Sequence, residues 1–206
     1  MPDPTTITPE TANYYEGVLD IYFAVMTGSD TAAAAPTYGE PEVLCKTVNV
    51  TLTPQYREGS RYASNRKVRN VRKVDAYEVS IAADQVIPAV RRKLLGRVVD
   101  AKGVDIIDGD TDAPYVAIAF ALTKENGKKE LWWLYKGKFA EIETNADTSG
   151  DSIEYKDVSL SATFDRRVHD NALAAVLDED AADADAATVA AWFTAVYEKT
   201  PVTTTP

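Results

Sequence analysis

The 206-residue chain contains a single cysteine, Cys45, and a single histidine, His169. One thiol cannot form an internal disulfide, and these two residues supply too few ligands for a Cys/His metal site. We therefore predict no metal centre, and we expect packing and assembly to provide the stability. Because free cysteine is most often a core residue, we also predict that the Cys45 thiol is buried.

Long hydrophobic runs are also absent. The longest, residues 115–122, is less than half of the roughly 20 residues that a membrane-spanning helix requires. Residues 1–17 contain no Lys, no Arg and no apolar stretch, so they lack both parts of a secretory signal. We expect a protein that does not cross a membrane and that folds around a core of its own, since 45% of its residues are apolar.

Motifs that carry chemistry are missing as well. The chain has no Gly-Lys-Ser/Thr phosphate loop, and no recognisable Ser or Cys nucleophile accompanies His169. Asp108 begins an Asp-Gly-Asp-Thr-Asp segment that resembles the start of a calcium loop, but Ala113 and Ala119 replace the Gly and Glu that such a loop needs. We predict an acidic turn there, and neither catalysis nor a bound cofactor for the whole chain.

Strand patterns dominate what is present. Six segments are either continuously apolar or alternate apolar with polar side chains, as buried and half-buried strands do. They are residues 18–25, 43–52, 74–81, 115–122, 131–135 and 153–164. Asn126 and Gly127 lie between the fourth and fifth segments, and an Asn-Gly pair can take the positive φ angles of a tight hairpin turn. The sequence therefore predicts a β core with a hairpin at that position.

Two helices are predicted beside this core. Asp84 is placed to cap a helix over residues 86–95, with apolar residues on one face and Gly96 at its end. Residues 186–197 form the second candidate, with Thr188 as its cap. We divide the chain into a flexible N-terminal arm over residues 1–14, a single domain over residues 15–198 and a flexible tail over residues 199–206.

The charge of the chain is unevenly distributed. The net charge is −10, yet residues 57–73 contain seven basic residues and one acid, Glu58, which is +6 and leaves −16 on the rest. The basic residues are Arg57, Arg61, Arg66, Lys67, Arg69, Arg72 and Lys73. Most of this segment falls in a predicted long polar loop, residues 54–72, and a loop of that length within a compact domain is usually functional or disordered.

Two interpretations of the basic loop are open. Its cations could neutralise nucleic-acid phosphates, with Tyr56 and Tyr62 stacking on bases, although the acidic remainder of the chain would repel nucleic acid. Alternatively, the loop docks on the acidic surface of a neighbouring copy. Such a contact joins different surfaces of identical subunits, so it produces rings or open filaments. We name the seven basic residues as a candidate assembly and stacking site.

Short motifs follow one another in a fixed order over residues 15–197. They are Gly17-Val18, Tyr38-Gly39-Glu40-Pro41, Leu94-Leu95-Gly96, Pro114-Tyr115-Val116-Ala117, Asn126-Gly127-Lys128, Trp-Leu-Tyr-Lys-Gly-Lys-Phe at 133–139, Gly150-Asp151 and Trp192-Phe193. In this order they resemble the major tail protein family of siphophages, and the block at 133–139 is the most specific of them. The basic residues 57–73 depart from the family pattern.

The resemblance implies a sandwich or barrel of two antiparallel sheets, with a flanking α-helix and a C-terminal helix. It further implies subunits that form hexameric rings, which stack into the hollow tail of a virion, and a loop at 54–72 that reaches the next ring. The implied partners are other copies of the chain, the tape measure protein, and the distal tail and tail terminator proteins, assembled in the host cytoplasm. Viral DNA would pass through the lumen without specific binding, and we expect acidic side chains to face it. The nearest alternatives are a sheath-enclosed inner tube and a tail-completion protein.

Overall fold

The computed structural model describes residues 13–63, 66–142 and 157–200, and within them the chain forms eleven strands and two helices. The strands are β1 (Tyr15–Val18), β2 (Ile21–Val25), β3 (Glu42–Cys45), β4 (Thr47–Ala63), β5 (Arg66–Ala83), β6 (Val98–Val99), β7 (Asp105–Ile106), β8 (Val116–Lys124), β9 (Lys129–Phe139), β10 (Val158–Asp165) and β11 (Ala174–Asp178). The helices are α1 (Pro88–Leu95) and α2 (Ala186–Ala191). None of the described helices is long and apolar enough to cross a bilayer.

Nine of the strands form one antiparallel sheet in the order β3-β2-β8-β9-β10-β5-β4. The two central strands each have two partners on one side: β8 pairs with β2 and then β1, and β9 pairs with β11 and then β10. Strand β1 also lies against β4 from the far end of this order, so the sheet curls around its core. Strands β6 and β7 form a small second sheet. The predicted mainly β fold, with two antiparallel sheets and two helices, is confirmed.

The predicted hairpin between β8 and β9 is confirmed. Its turn is closed by the Gly127 N–H, which donates to the Lys124 carbonyl at 2.9 Å, and by the Lys128 N–H, which donates to Asn126 Oδ1 at 2.9 Å. Gly127 has φ of 77°, the left-handed region that costs glycine little. Asn126 keeps a negative φ, so the turn needs one positive φ angle rather than two.

The core lies inside the curled sheet. Ile21, Phe23, Ile118 and Phe164 are among its fully buried side chains, and Cys45 joins them with 4% of its surface exposed, as predicted. Helix α1 contributes three more buried side chains, which are Val90, Leu94 and Leu95. The opposite face of β8 and β9 is buried as well, in a second cluster that includes Ala119, Trp133 and Trp192. The near-continuous burial of β8 follows from this cover on both of its faces.

Helix α1 differs from its prediction at the start. It begins at Pro88 and has Ile87 as its N-cap, so the assignment of Asp84 as the cap is wrong. A proline disfavours the helical conformation in the residue before it, and Ile87 is extended, with φ of −66° and ψ of 144°. The Asp84 N–H instead donates to the Lys46 carbonyl at 3.1 Å. The helix ends as predicted at Gly96, which has φ of 66°.

Helix α2 is shorter than predicted and has a different cap. It ends at Ala191 rather than at residue 197, and its cap is Asp185, whose carboxylate accepts the Thr188 N–H at 2.8 Å. The prediction of Thr188 as the cap was therefore wrong by three residues. Trp192 and the following residues form turns, which place the indole on the second cluster.

Three predicted strands also differ in extent. The segment 43–52 contains the end of β3 and the start of β4, with a break at Lys46. The segment 18–25 contains the end of β1 and the whole of β2, with a break at Leu19 and Asp20. The strand predicted from residue 153 begins at Val158 in β10, and residues 153–156 lie outside the described residues. Residues 1–12 and 201–206, which make up most of the two predicted flexible ends, also lie outside them.

Candidate assembly interface

The segment predicted as a loop at residues 54–72 is strand in its described residues, 54–63 and 66–72, so that prediction was wrong. Strands β4 and β5 remain paired from Thr47 opposite Ala83 to Ala63 opposite Arg66. Pairing in an antiparallel ladder depends on backbone N–H and C=O groups, which charged residues supply as well as apolar ones. Pro54 is tolerated because β4 ends the sheet order, and an edge strand has one side without ladder partners.

The outer part of this hairpin extends beyond the rest of the sheet. Strand β10 accompanies β5 only as far as Asp165 opposite Ala76. Residues 56–63 and 66–74 therefore form a ribbon of two strands, which we call the arm. The rise over the seven residues from Tyr56 to Ala63 is about 23 Å at roughly 3.3 Å per residue. A ribbon of two strands is only marginally stable by itself. The arm is thus a segment that a contact with another molecule would stabilise.

Pairing in the arm brings like charges together. Arg57 lies opposite Lys73, and Arg61 lies opposite Arg69. Residues opposite each other share a face and alternate residues along a strand share it too, so these four cations lie on one face, which we call the basic face. Like charges directly opposite each other destabilise a strand pair. The single chain bears this electrostatic cost, which an acidic surface placed against the basic face would reduce.

A gap lies between the two pairs of cations. Gly59 is opposite Val71, midway along the basic face. A Cβ placed on Gly59 would have no atom within 4 Å, so packing within the chain does not require glycine there. The missing side chain leaves Val71 partly exposed, with basic residues on both sides. The basic face therefore combines positive charge with a small apolar notch.

The opposite face of the arm is internally paired. The Arg72 guanidinium lies 3.7 Å from the centre of the Tyr56 ring and 3.0 Å from the Glu58 carboxylate. Ser60 and Asn70 share a hydrogen bond of 3.2 Å on the same face. Because Arg72 already covers one side of the Tyr56 ring, this tyrosine is a poor platform for stacking a base.

Most basic-face cations have no ion-pair partner among the described residues. Arg57 is the exception, with Asp75 at 3.2 Å, but its side chain is 76% exposed, and such surface pairs contribute little. Within the described part of the chain, Arg61, Arg69 and Lys73 make no salt bridge. Arg66, the first residue of β5, is exposed and likewise makes none there.

The predicted site is therefore brought together only in part. Arg57, Arg61, Arg69 and Lys73 share the basic face, whereas Arg72 belongs to the paired face. Lys67 lies in β5 opposite Tyr62, and its side chain is outside the described residues.

A second exposed surface escaped prediction from the sequence. In the β6–β7 ribbon, Val98 lies opposite Ile106. Val104 directly precedes β7, and its carbonyl accepts the Asp100 N–H at 2.9 Å, which continues the pairing and places Val104 on the same side as Ile106. These three side chains are 71%, 52% and 53% exposed, respectively for Val98, Ile106 and Val104. The other side of the ribbon turns towards α1, because Asp105 accepts a hydrogen bond from Arg92 Nε at 2.5 Å. The sequence did contain a signal for this surface, because Val104 and Ile106 alternate with Asp105 in a stretch rich in aspartate.

The acidic segment at residues 108–112 forms a turn, as predicted. Asp108 Oδ1 accepts the Asp110 N–H at 3.2 Å, and the Asp108 carbonyl accepts the Thr111 N–H at 3.2 Å. Among the described residues, no group of three or more His, Cys, Asp or Glu side chains is arranged to hold a metal ion.

A buried ion cluster holds the C-terminal segment. The Arg167 side chain is 1% exposed and donates to Asp170 at 3.0 and 2.6 Å and to Glu198 at 2.6 Å. Its guanidinium also lies 4.0 Å from the centre of the Tyr135 ring. Burial raises the pKa of the Asp170 carboxyl, but hydrogen bonds from Arg167 and from the Ala172 N–H outweigh it, so that pKa lies below its usual value. These contacts fix the position of the segment that covers the second cluster.

His169 has a structural contact beside this cluster. Its backbone N–H and that of Val168 donate to the Asp30 carboxylate at 3.0 and 2.6 Å, and Lys136 Nζ donates to the same carboxylate at 2.8 Å. Burial raises the pKa of Asp30, but these donors lower it by more, which keeps the carboxylate ionised. Asp30 therefore ties the loop before β3 to the turn after β10.

No known family model matches the chain. No curated protein matches it in sequence either. Among solved structures, the chain is similar to the tube terminating cap of the anti-feeding prophage, a cryo-EM structure. The similarity covers 85% of this chain and 99% of that chain, at 10% sequence identity and a TM-score of 0.49. At this level of similarity, neither the family nor the function of this chain follows from the comparison.

Proposed function

We propose that this chain is a structural protein that works by head-to-tail assembly with copies of itself. The observation that carries the proposal is the arm, a ribbon of two strands that extends beyond the sheet and places four cations on one face, three of which make no salt bridge with a described residue. Such a ribbon is only marginally stable alone. Its cations lie directly opposite one another, and contact with an acidic partner would offset their repulsion. The rest of the chain, at −16, supplies acidic surface on every neighbouring copy.

The particular assembly that we propose is the tail tube of a siphophage, with this chain as the major tail protein. The ordered motifs of residues 15–197 support it, and so does an arm in the region where the resemblance implies a contact with the next ring. The mainly β fold with a flanking helix agrees with the same family. Hexameric rings, a location in the virion, and contacts with the tape measure, distal tail and tail terminator proteins belong to this proposal.

The wall of the passage would be the polar face of β4, β5 and β10. Small hydroxyl side chains dominate this face, where Ser80 lies between Thr51 and Ser161 in adjacent strands. Glu78 lies in the next row of the same face, between Thr53 of β4 and Thr163 of β10. Binding of a phosphate backbone depends on cations, so DNA would slide along a surface of hydroxyls and carboxylates. An assembled tube with a basic lumen would contradict this assignment.

Negative-stain microscopy of the concentrated full-length protein tests directly whether it is a self-assembling structural protein. We expect hollow tubes or stacked rings; dispersed monomers at all concentrations would contradict the proposal. The arm is tested by the double variant Arg61→Glu/Arg69→Glu. This variant keeps a like-charge pair, so the hairpin folds as before, but it removes the attraction to an acidic partner, and we expect folded monomers without tubes.

A matched control separates position from total charge. The variant Lys128→Glu/Lys199→Glu changes the net charge by the same amount at two exposed sites outside the arm. We expect it to form tubes as the unmodified chain does. If both double variants lost assembly equally, net charge rather than the arm would be responsible. Salt-sensitive DNA binding that the arm variant abolished would instead favour a nucleic-acid-binding protein.

A further inference from the structure

The β6–β7 ribbon presents aliphatic side chains to solvent without any cover from the described chain. Val98, Val104 and Ile106 share its outward side, and each is more than half exposed. We call these three residues the acceptor face. Ile107 follows directly and is 69% exposed. A contiguous apolar surface of this kind, bordered by polar residues, is typical of an interaction site.

Acidic residues lie close to the acceptor face in the sequence. Asp100, Asp108 and Asp110 are all exposed, and the only cation in residues 98–110 is Lys102. The carboxylate of Asp100 accepts the backbone N–H groups of Lys102 and Val104, both at 2.8 Å. None of these three aspartates forms a salt bridge with a described residue. Among the described residues, therefore, no apolar side chain covers the acceptor face and these aspartates make no ion pair.

The basic face of the arm has the complementary pattern. It places an apolar notch, Gly59 opposite Val71, between two pairs of cations. The acceptor face places aliphatic side chains in a segment whose exposed aspartates, Asp100, Asp108 and Asp110, make no salt bridge with a described residue. Joining the two would bury apolar surface and bring each set of charges to the opposite set. Such complementarity of charge is what steers and aligns specific protein contacts.

The arm of one chain is directed away from its own acceptor face. Strand β5 runs from Val71 back to Ala83, a rise of roughly 40 Å at about 3.3 Å per residue. Helix α1 starts just after that end of β5, and Arg92 of α1 holds the β6–β7 ribbon through Asp105. The two surfaces thus lie towards opposite ends of the β4–β5 hairpin. A contact between them must join two chains, and because the two surfaces differ, it leaves one of each free to extend the assembly.

We infer that the acceptor face receives the arm of a second copy of this chain. This inference rests on the proposed function, and it names the surface on which the arm docks. A bulge at Asp75 of β5, opposite Gln55 and Tyr56, separates the arm from the polar face of the sheet. Bulges bend a strand and increase its twist, so the basic face of the arm can turn towards a neighbour while the polar face lines a passage.

A charge swap in the full-length chain tests the inference. Asp108→Lys/Asp110→Lys reverses the border of the acceptor face, and we expect the critical concentration for tube formation to rise by about tenfold or more, which corresponds to about 1.4 kcal/mol. Combining it with Arg61→Glu/Arg69→Glu in one chain reverses both surfaces. We expect this quadruple variant to assemble again, because each reversed arm then meets a reversed acceptor face.

The apolar part of the contact has its own variant. Val98→Ser/Ile106→Ser removes aliphatic surface that is exposed in the single chain, so folding should be unaffected and assembly weakened. Val168→Ser/Val176→Ser is the matched control, since these valines are similarly exposed elsewhere, at 53% and 49%. Equal assembly of the acceptor-face variant and the control would overturn the inference.

The outcomes separate this inference from the proposed function. If the unmodified chain forms tubes and only the arm variant fails to form them, the arm docks on another surface. The assignment of the acceptor face as the docking surface is then wrong, while the proposed function stands. Failure of the quadruple variant to regain assembly would also overturn the inference. If the unmodified chain forms no tubes at any concentration, the proposed function fails and the inference fails with it.

Discussion

Replacement of Arg167 by alanine should destabilise the protein far more than replacement of an exposed arginine. Removal of one member of a buried ion pair typically costs 3–5 kcal/mol, because the remaining charges lose their partner. Here the two carboxylates stay partly accessible, with side-chain exposures of 24% for Asp170 and 46% for Glu198, so they regain some hydration. We therefore expect the low end of that range, about 3 kcal/mol.

The matched control is Arg57→Ala, which removes the same atoms from a surface pair. Its side chain is 76% exposed and its partner, Asp75, is also accessible, so we expect a loss of about 0–1 kcal/mol. In urea denaturation, the unfolding free energy falls by about 2 kcal/mol per molar urea. With this slope, the loss of stability would lower the midpoint of Arg167→Ala by about 1.5 M and that of the control by less than about 0.5 M. Similar midpoints for the two variants would refute the argument from burial.

The pH dependence of the same variant provides an independent check. The pKa of Asp170 lies below its usual value in the folded protein, so its ionised form stabilises the fold above the unfolded pKa of about 3.9 and loses this effect as pH falls through the folded pKa. Without Arg167, most of that contribution disappears. We expect the stability difference between the unmodified chain and Arg167→Ala to narrow below about pH 4. A difference that stays constant down to pH 2 would contradict the assignment.

Two further predictions concern the core. A Cβ on Gly137 would lie 2.5 Å from the Phe164 ring, so Gly137→Ala should cost about 1–3 kcal/mol in urea denaturation, whereas Gly17→Ala, with nothing within 4 Å, should not; equal effects would contradict this. Burial raises the pKa of the Cys45 thiol to about 11, and a hydrogen bond with Thr47 offsets only part of this rise. We expect a thiol reagent at about pH 8 to label Cys45 only after unfolding, and rapid labelling of the native protein would show that the thiol is accessible.

The parts of the fold that were predictable from the sequence are those in which burial imposes a pattern. Strand β10 alternates apolar and polar residues because one of its faces lies in the core, and the burial of Cys45 follows from the same rule. The β8–β9 hairpin was visible because Gly127 permits a positive φ angle. Helix ends were less predictable, since Asp185 and Thr188 are both suitable caps and the path of the chain decides between them.

The arm was not predictable as a strand pair for a related reason. Its described side chains are mostly solvent-exposed, so no apolar alternation marks them, and Gly59 in the arm and Pro54 just before it are residues that usually interrupt strands. Backbone hydrogen bonds between β4 and β5 hold the arm together, and their presence does not depend on the type of side chain.

The sequence by itself determined that this protein has a β core and that it carries a strongly basic segment on an acidic chain. The tertiary structure alone decided which cations share a face, because Arg61 meets Arg69 only through a register that bulges in β4 and β5 help to set. It also decided that the acceptor face lies away from the arm. Placement of that kind depends on contacts between residues far apart in the chain, such as Arg97 with Glu141, which no local pattern specifies.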